Sequence, residues 1–318
     1  MQQHFILQGR DLHEVEAGDG NIAVFSAPSE EERRILQDVY DIDEHTLNSA
    51  LDPEEIARFE YDARGDATNI IWKRPDPRAD ADATRFEVAS VGIFLRRDRV
   101  VIVAPDERPP ISTEQPELDS QAELVLRVMR ATVQEYVARL RAIKRTAGEI
   151  QGRLNRTIDN RELVRMFNVS EDLVYYVDAI DANGAVLTKL RNARSRLGFT
   201  EEDTELLDDL IIDNEQVSRQ GHIYTAVLGG LLDARGNIVN NNMNVLIKNL
   251  TVVNVVFLPL GVLAGMGGMS EFSRFLDELG VDFHVGFFLF GAAMIAIGLT
   301  IFRLVQTWIS RRMGGEAA

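Results

Sequence analysis

The feature that most constrains this chain is a run of twenty residues, Leu250–Met269, without a single charge. At about 1.5 Å of rise per residue, a helix of that length spans a hydrocarbon core of roughly 30 Å. A second uncharged run, Val285–Phe302, follows a short polar segment, so the two read as a helical hairpin in a bilayer. The first run is not uniformly apolar. On a helix, Asn244, Ile247, Thr251, Asn254, Leu258, Gly261 and Gly265 fall on one face, and Val252, Val253, Val256, Phe257, Leu260 and Leu263 on the other. A polar group in hydrocarbon is expensive unless it finds a partner or water, so the polar face must meet protein or a pore. Two readings stand. One is a packing seam, in which Gly261, Gly265 and Gly268 let helices approach while the asparagines hydrogen-bond between them. The other is a pore lining, which requires several copies because two helices cannot enclose a pore.

Charge flanks the hairpin asymmetrically. Lys248, Arg303, Arg311 and Arg312 lie at its outer ends, whereas the connecting segment Ser270–His284 reads as a polar loop with Glu271, Asp277, Glu278 and Asp282 against Arg274. The positive-inside rule then puts both termini in the cytoplasm and the acidic segment outside. The N-terminus has no basic segment leading into an apolar stretch, so it does not read as a signal peptide. These signals together predict a multi-pass protein of the cell's inner (plasma) membrane.

The 318 residues leave room for much more than the hairpin. A net charge of −16 excludes a basic face for nucleic acid and favours attraction of cations. The absence of cysteine removes disulfides, thiolate catalysis and cysteine-based zinc sites. Residues 1–116 read as a cytoplasmic α/β domain, with strands over Ala23–Ser26, Asn69–Trp72, Phe86–Leu95 and Val100–Ala104. Ser29 and Glu32 form a capping-box pattern, Asp41–Ala50 and Asp52–Phe59 read as short helices, and Asp76–Asp82 as a loop. No proline occurs from Glu117 to Leu258, which marks residues 117–249 as a helical stalk. Its helices are expected over Leu118–Leu154 and, after a break near Asn155–Asn160, over Ser170–Leu197, with Ser170 as cap and Gly198 as stop. The third starts at Thr200 and runs into the membrane, on the order of 100 Å if unbroken. Residues 250–318 form the transmembrane hairpin. The expected fold is therefore an α+β domain, long stalk helices and a two-helix membrane hairpin.

The first membrane run carries Phe257-Leu258-Pro259-Leu260, Ala264-Gly265 and Gly268-Met269-Ser270, and these residues resemble the CorA family of metal-ion transporters. That family shows a Phe/Met-Pro-Leu step, an Ala-Gly pair and Gly-Met-Asn at the outer pore mouth. Ala27-Pro28-Ser29 with Glu30, Glu31 and Glu32, Leu51-Asp52-Pro53 and Gly230-Leu231-Leu232-Asp233 are also similar to family segments, so the resemblance covers essentially the whole chain. It is nearest the ZntB-like and CmaX-like branches. The resemblance implies a funnel-shaped homopentamer with a pore lined by the first membrane helix. Carried over by position, Asn244, Ile247, Leu250, Leu258 and Gly261 face the pore, and Gly268, Met269 and Ser270 form its mouth; Asn254 joins them from the polar stripe. Leu250 and Leu258 form hydrophobic rings suited to gating by dewetting. Serine replaces the family's asparagine at 270, a shorter and weaker oxygen donor for hydrated Mg²⁺. Glu271, Asp277, Glu278 and Asp282 would concentrate cations at the mouth, and His284 offers an imidazole suited to Zn²⁺, Ni²⁺ or Co²⁺. Asp209, with Asp208 and Asp213, falls where the family holds a metal-sensing carboxylate between subunits, with Asp76, Asp80 or Asp82 as partner; the plain alternative is a solvated helix face.

The implied function is divalent-cation transport (Mg²⁺, Zn²⁺, Co²⁺ or Ni²⁺), with no cofactor beyond the ion as substrate and gating ligand. The alternative is a non-conducting membrane scaffold on the same fold. An enzyme is disfavoured: no phosphate loop, nucleophile elbow or HExxH motif occurs, and the five histidines are scattered.

Overall fold

The structure, a computed structural model, describes residues 1–62, 67–76, 87–96, 98–111, 117–154, 160–280 and 282–314. The chain divides into two compact units, Met1–Leu232 and Asp233–Ala318. The division falls inside one helix.

The first unit is built on a mixed sheet of seven strands: β1 (Gln2–Gln8), β2 (Asp11–Val15), β3 (Ile22–Ser26), β4 (Arg58–Asp62), β5 (Ala67–Pro75), β6 (Val88–Leu95) and β7 (Val100–Ala104), in the order β2-β1-β3-β7-β6-β5-β4. Among the described residues only β3 and β7 pair in parallel. Side-chain alternation divides the sheet's apolar residues between two cores. Ala23, Phe25, Ile71, Phe94, Val101 and Val103 pack on one face with Leu36 of α1 (Glu30–Asp38) and Leu47 of α2 (Glu44–Leu51). Ile22, Val24, Ile70, Trp72, Ile93 and Ile102 pack on the other with α3 (Gln121–Leu154), α4 (Asn160–Ala193) and the first third of α5 (Glu201–Gly267).

Local chemistry sets the boundaries. The capping box at α1 is complete: Glu32 N–H donates to Ser29 Oγ (3.3 Å) and Ser29 N–H to Glu32 Oε2 (2.8 Å). Asp43 caps α2 by accepting from Thr46 N–H at 2.9 Å. The helix expected over Asp52–Phe59 does not form. Pro53 drives the preceding Asp52 into extended backbone (ψ 118°), and the chain turns into β4. Ser170 is not a cap either. α4 begins at Asn160, and Met166, Val169, Leu173 and Tyr176 are buried at helical spacing on both sides of the serine, so packing outweighs its capping preference. Thr200 caps α5: Asp203 N–H donates to its Oγ1 (3.1 Å), while Thr200 N–H donates to Asp203 Oδ2 (3.0 Å). Gly198, at φ +68°, makes the turn that precedes it. Three strands went unpredicted, β1, β2 and β4. β1 and β2 join through Gly9-Arg10, a two-residue hairpin turn with Gly9 at φ +65°. β4 is a half-exposed strand with charged residues. Phe86, Asp80, Asp82 and the break at 155–159 lie outside the described residues.

α4 and α5 pack antiparallel. Arg191 meets Asp208, Asn214 Nδ2 donates to the Ile180 carbonyl (3.0 Å), and Ser218 Oγ donates to Asp181 (2.5 Å). One side chain ties α4 to the sheet. β4 pairs with β5 only as far as Ile71, leaving the backbone of Lys73 open on that side. The fully buried Asn183 supplies both missing bonds, accepting from Lys73 N–H at 2.9 Å and donating to its carbonyl at 2.7 Å. The Lys73 ammonium is itself buried. It donates to the carbonyls of Pro53 (2.5 Å) and Glu55 (2.9 Å), and burial pushes its pKa down against the pull of Asp52, Glu55, Asp178 and Glu54.

Replacing Asn183 with the similarly sized leucine orphans a buried N–H and a buried carbonyl, each costing about 1–3 kcal/mol. Asn183→Leu should therefore destabilise the first unit by about 2–6 kcal/mol, seen as a lowered denaturation midpoint in the detergent-solubilised full chain.

Candidate ion pathway

In the second unit, α5 continues through the membrane run to Gly267, followed by α6 (Ser270–Glu278) and α7 (Phe283–Gly314). Two helices here are long and apolar enough to cross a membrane, Glu201–Gly267 and Phe283–Trp308. The most apolar stretch of the first is 0% buried within the chain, and that of the second 11%. A core helix of a soluble protein would be mostly buried, so these apolar surfaces belong against lipid or further copies.

α7 packs on one side of α5 only. Phe290 lies 2.6 Å from where a Cβ on Gly267 would stand, and Leu260 Cδ1 3.1 Å from the corresponding point on Gly298. Val256 and Leu260 share a cavity with Met294, Ile295, Gly298, Leu299 and Phe302. At 100° per residue, this side lies opposite Asn244, Ile247, Asn254, Leu258, Gly261 and Gly265 of the stripe, whereas Thr251, at the stripe's edge, shares a second cavity with Val305 and Trp308 of α7; all seven are exposed. Gly261 and Gly265 have open space where a Cβ would stand. Neither glycine therefore packs within the chain; α7 uses Gly267 and Gly298 instead. Continued toward the N-terminus, the same face carries Asn240, Asn237 and Asp233, also exposed. The sequence pattern already held that extension.

The polar groups on this face differ in how they are satisfied. Thr251 Oγ1 donates to the Ile247 carbonyl at 2.8 Å, inside its own helix. The Asn254 amide has no partner among the described residues and is exposed within the uncharged run. Pro259, inside the helix, supplies no N–H for the Val255 carbonyl, which adds an acceptor next to Asn254.

Gly268 and Met269 form the turn after α5. Gly268 N–H donates to the Ala264 carbonyl (3.1 Å) and Met269 N–H to that of Met266 (3.2 Å). Ser270 is exposed and starts α6. The polar loop expected over Ser270–His284 is thus largely a helix. Phe272, Phe275, Leu276 and Leu279 recur at helical spacing; Leu276 packs on Gly286 of α7, and the Phe272 ring lies 5.2 Å from that of Phe290. Gly280, at φ +66°, ends it. Asp277 and Glu278 are exposed on α6. Asp282 caps α7, accepting from His284 N–H at 2.9 Å. Glu271 lies on α6, and its side chain is outside the described residues.

The stalk carboxylates do not converge. Asp208 is held by Arg191 (2.6 Å), Asp209 is exposed and Asp213 half-buried. Among the described residues no group of three or more histidine, aspartate or glutamate side chains is placed to hold a metal ion.

Comparison with known proteins decides the family. The CorA-like Mg²⁺ transporter protein family matches residues 20–306. The chain belongs to the CorA family. The cobalt/magnesium transport protein CorA of Methanocaldococcus jannaschii is 27% identical over 253 residues, covering 76% of this chain and 77% of the relative. The complete structure of that organism's CorA magnesium transporter superposes with a TM-score of 0.73 at 21% identity, covering 95% of this chain and 96% of the other. Full-length CmaX covers the same shares at a TM-score of 0.59 and 12% identity. The cytoplasmic domain of ZntB from Vibrio parahaemolyticus, also 12% identical with a TM-score of 0.59, covers 76% of this chain and 97% of its own. The expected fold and family are both borne out, and CorA membership places the chain among ion transporters and not enzymes.

The two faces of α5 should respond differently to truncation. Leu260→Ala removes packing against Gly298 and should destabilise the detergent-solubilised chain by about 2 kcal/mol, the low end for a buried leucine. Leu258→Ala, on the open face, should leave the thermal midpoint nearly unchanged.

Proposed function

We propose that this chain transports divalent cations through a pore lined by the Asn244–Gly261 face of α5. One observation carries the reading: Asn254 presents an unpartnered amide within a membrane-length apolar run, on the face turned away from α7. In hydrocarbon that arrangement is costly. Around a water-filled axis it is stable, and the axis requires several copies of α5. Five copies follow from the resemblance to CorA.

On this reading Asn244 and Asn254 offer amide oxygens to a hydrated ion, and Ile247, Leu250 and Leu258 form apolar rings that gate by dewetting. Gly261 widens the path. Gly268, Met269 and Ser270 form the mouth, where the carboxylates of Glu271, Asp277, Glu278 and Asp282 raise the local cation concentration. Lys248 and the arginines 303, 311 and 312 keep both termini in the cytoplasm of a cell bounded by this membrane. The substrate class is Mg²⁺, Co²⁺, Zn²⁺ or Ni²⁺; the names of the CorA relatives favour the first two. Asp209 is the carboxylate on the stalk most available to a regulatory cation between copies, because Arg191 already holds Asp208.

Ser270 favours a second reading. A serine hydroxyl is a poorer substitute for water around Mg²⁺ than a carboxamide oxygen, which suits a scaffold that no longer conducts. Ion flux into proteoliposomes separates the two. Wild type should pass at least one of Mg²⁺, Co²⁺, Zn²⁺ and Ni²⁺, Asn254→Leu should abolish that flux, and Ser270→Asn should raise Mg²⁺ flux relative to the other ions. A well-formed oligomer that passes none of them, with or without a pH gradient, leaves only the scaffold.

A further inference from the structure

The first unit contains a cavity whose lining is independent of the transport pathway. Trp72 and Arg74 stand two residues apart on β5 and so point to the same side of the sheet, toward α3. Opposite them, Val128, Thr132 and Glu135 share one face of α3. The segment Arg108–Ile111 closes the space, which has a volume of about 510 Å³.

The polar atoms of this cavity do not balance. Trp72 is fully buried, and its indole Nε1–H has no hydrogen-bond partner among the described residues. Arg74 is 7% exposed; its Nη2 donates to Asp106 and to the Arg108 carbonyl (3.4 Å), but its Nε–H has no partner among the described residues. Two buried donors therefore lack acceptors, an uncommon condition in a folded interior. The acceptors that line the cavity do not reach either donor. Asp106 binds Arg74 and the Arg108 N–H, and Glu135 lies 3.7 Å from Arg139. Thr132 donates its hydroxyl proton to the Val128 carbonyl at 3.1 Å. At the exposed rim the Arg108 guanidinium has no ion pair among the described residues. Pro109, Pro110, Ile111 and Val91 line the rest with apolar surface.

We propose that this cavity binds a small organic anion, a carboxylate or phosphate monoester with an apolar body. Its oxygens accept from Trp72 Nε1, Arg74 Nε and the Arg108 guanidinium, and its body lies along the proline wall. Neutral and cationic ligands fit worse. A cation would meet three donors, and a neutral amide would leave Arg108 unanswered.

Calorimetric titration of the detergent-solubilised full chain tests this with benzoate, phenyl phosphate, inorganic phosphate, benzamide and benzylamine. Benzoate or phenyl phosphate should bind saturably at one site per chain, with benzamide weaker by about tenfold or more and benzylamine silent. Arg108→Glu, at the exposed rim, should weaken the anion by about tenfold or more without lowering the thermal midpoint. Trp72→Phe, which keeps the aromatic body and removes the donor, should also weaken it. The assignment is overturned by no saturable binding of either organic anion, by binding indifferent to Arg108→Glu, or by benzamide binding as well as benzoate. Inorganic phosphate binding as tightly as phenyl phosphate would overturn the organic part of the proposal.

Discussion

An amide in a membrane-length apolar helix needs a partner, and Asn254 finds none among the described residues of its own chain. Thr251 resolves the equivalent problem inside its own helix, because a threonine hydroxyl reaches the preceding turn. An asparagine cannot satisfy both its donors and its acceptor that way. Asn254 therefore couples the fold of one chain to assembly. The proposed pore meets the requirement with water, and the same requirement accounts for the open space at Gly261 and Gly265. Gly267 of α5 and Gly298 of α7 do pack, and they meet on the opposite side of α5.

The soluble unit follows a related logic in water. Its sheet has one face under two short helices and the other under three longer ones, and each face has its own apolar cluster. Where backbone would be left open at the end of β4, Asn183 closes it, and that bond fixes α4 against β5. α4 in turn holds the start of α5 through Asn214 and Asp208. The cavity beside Trp72 is one place where this satisfaction of buried polar atoms is left incomplete.

Much of this was legible in the sequence wherever one residue type decides the local outcome. The uncharged runs, the long proline-free region, the Ser29–Glu32 capping box and the motifs of the first membrane helix all led to the correct fold and family. The misreadings arose where tertiary packing overrode a local preference. Ser170 has the chemistry of a cap but lies in a buried helical stripe. Asp52 looked like a helix start, yet Pro53 makes it a helix end. The segment after Ser270 looked polar because its acids dominate the count, although its four large apolar residues keep helical spacing. The stripe on α5 was readable from periodicity, whereas its position opposite α7 was not, since periodicity does not say which face a neighbour takes. The orphaned donors of Trp72 and Arg74 had no sequence signal at all.

The central claim is that the Asn254 face of α5 meets water across the bilayer. The chain has no cysteine, so single cysteines report without background. Cysteines placed one at a time at 254, 258, 261 and 265, and at 252, 256, 260 and 263, would be challenged in reconstituted vesicles with a membrane-impermeant, water-soluble thiol reagent. The account predicts that the first set reacts and the second is protected, with helical period. Protection of both sets, or reaction confined to the side that packs on α7, would contradict it.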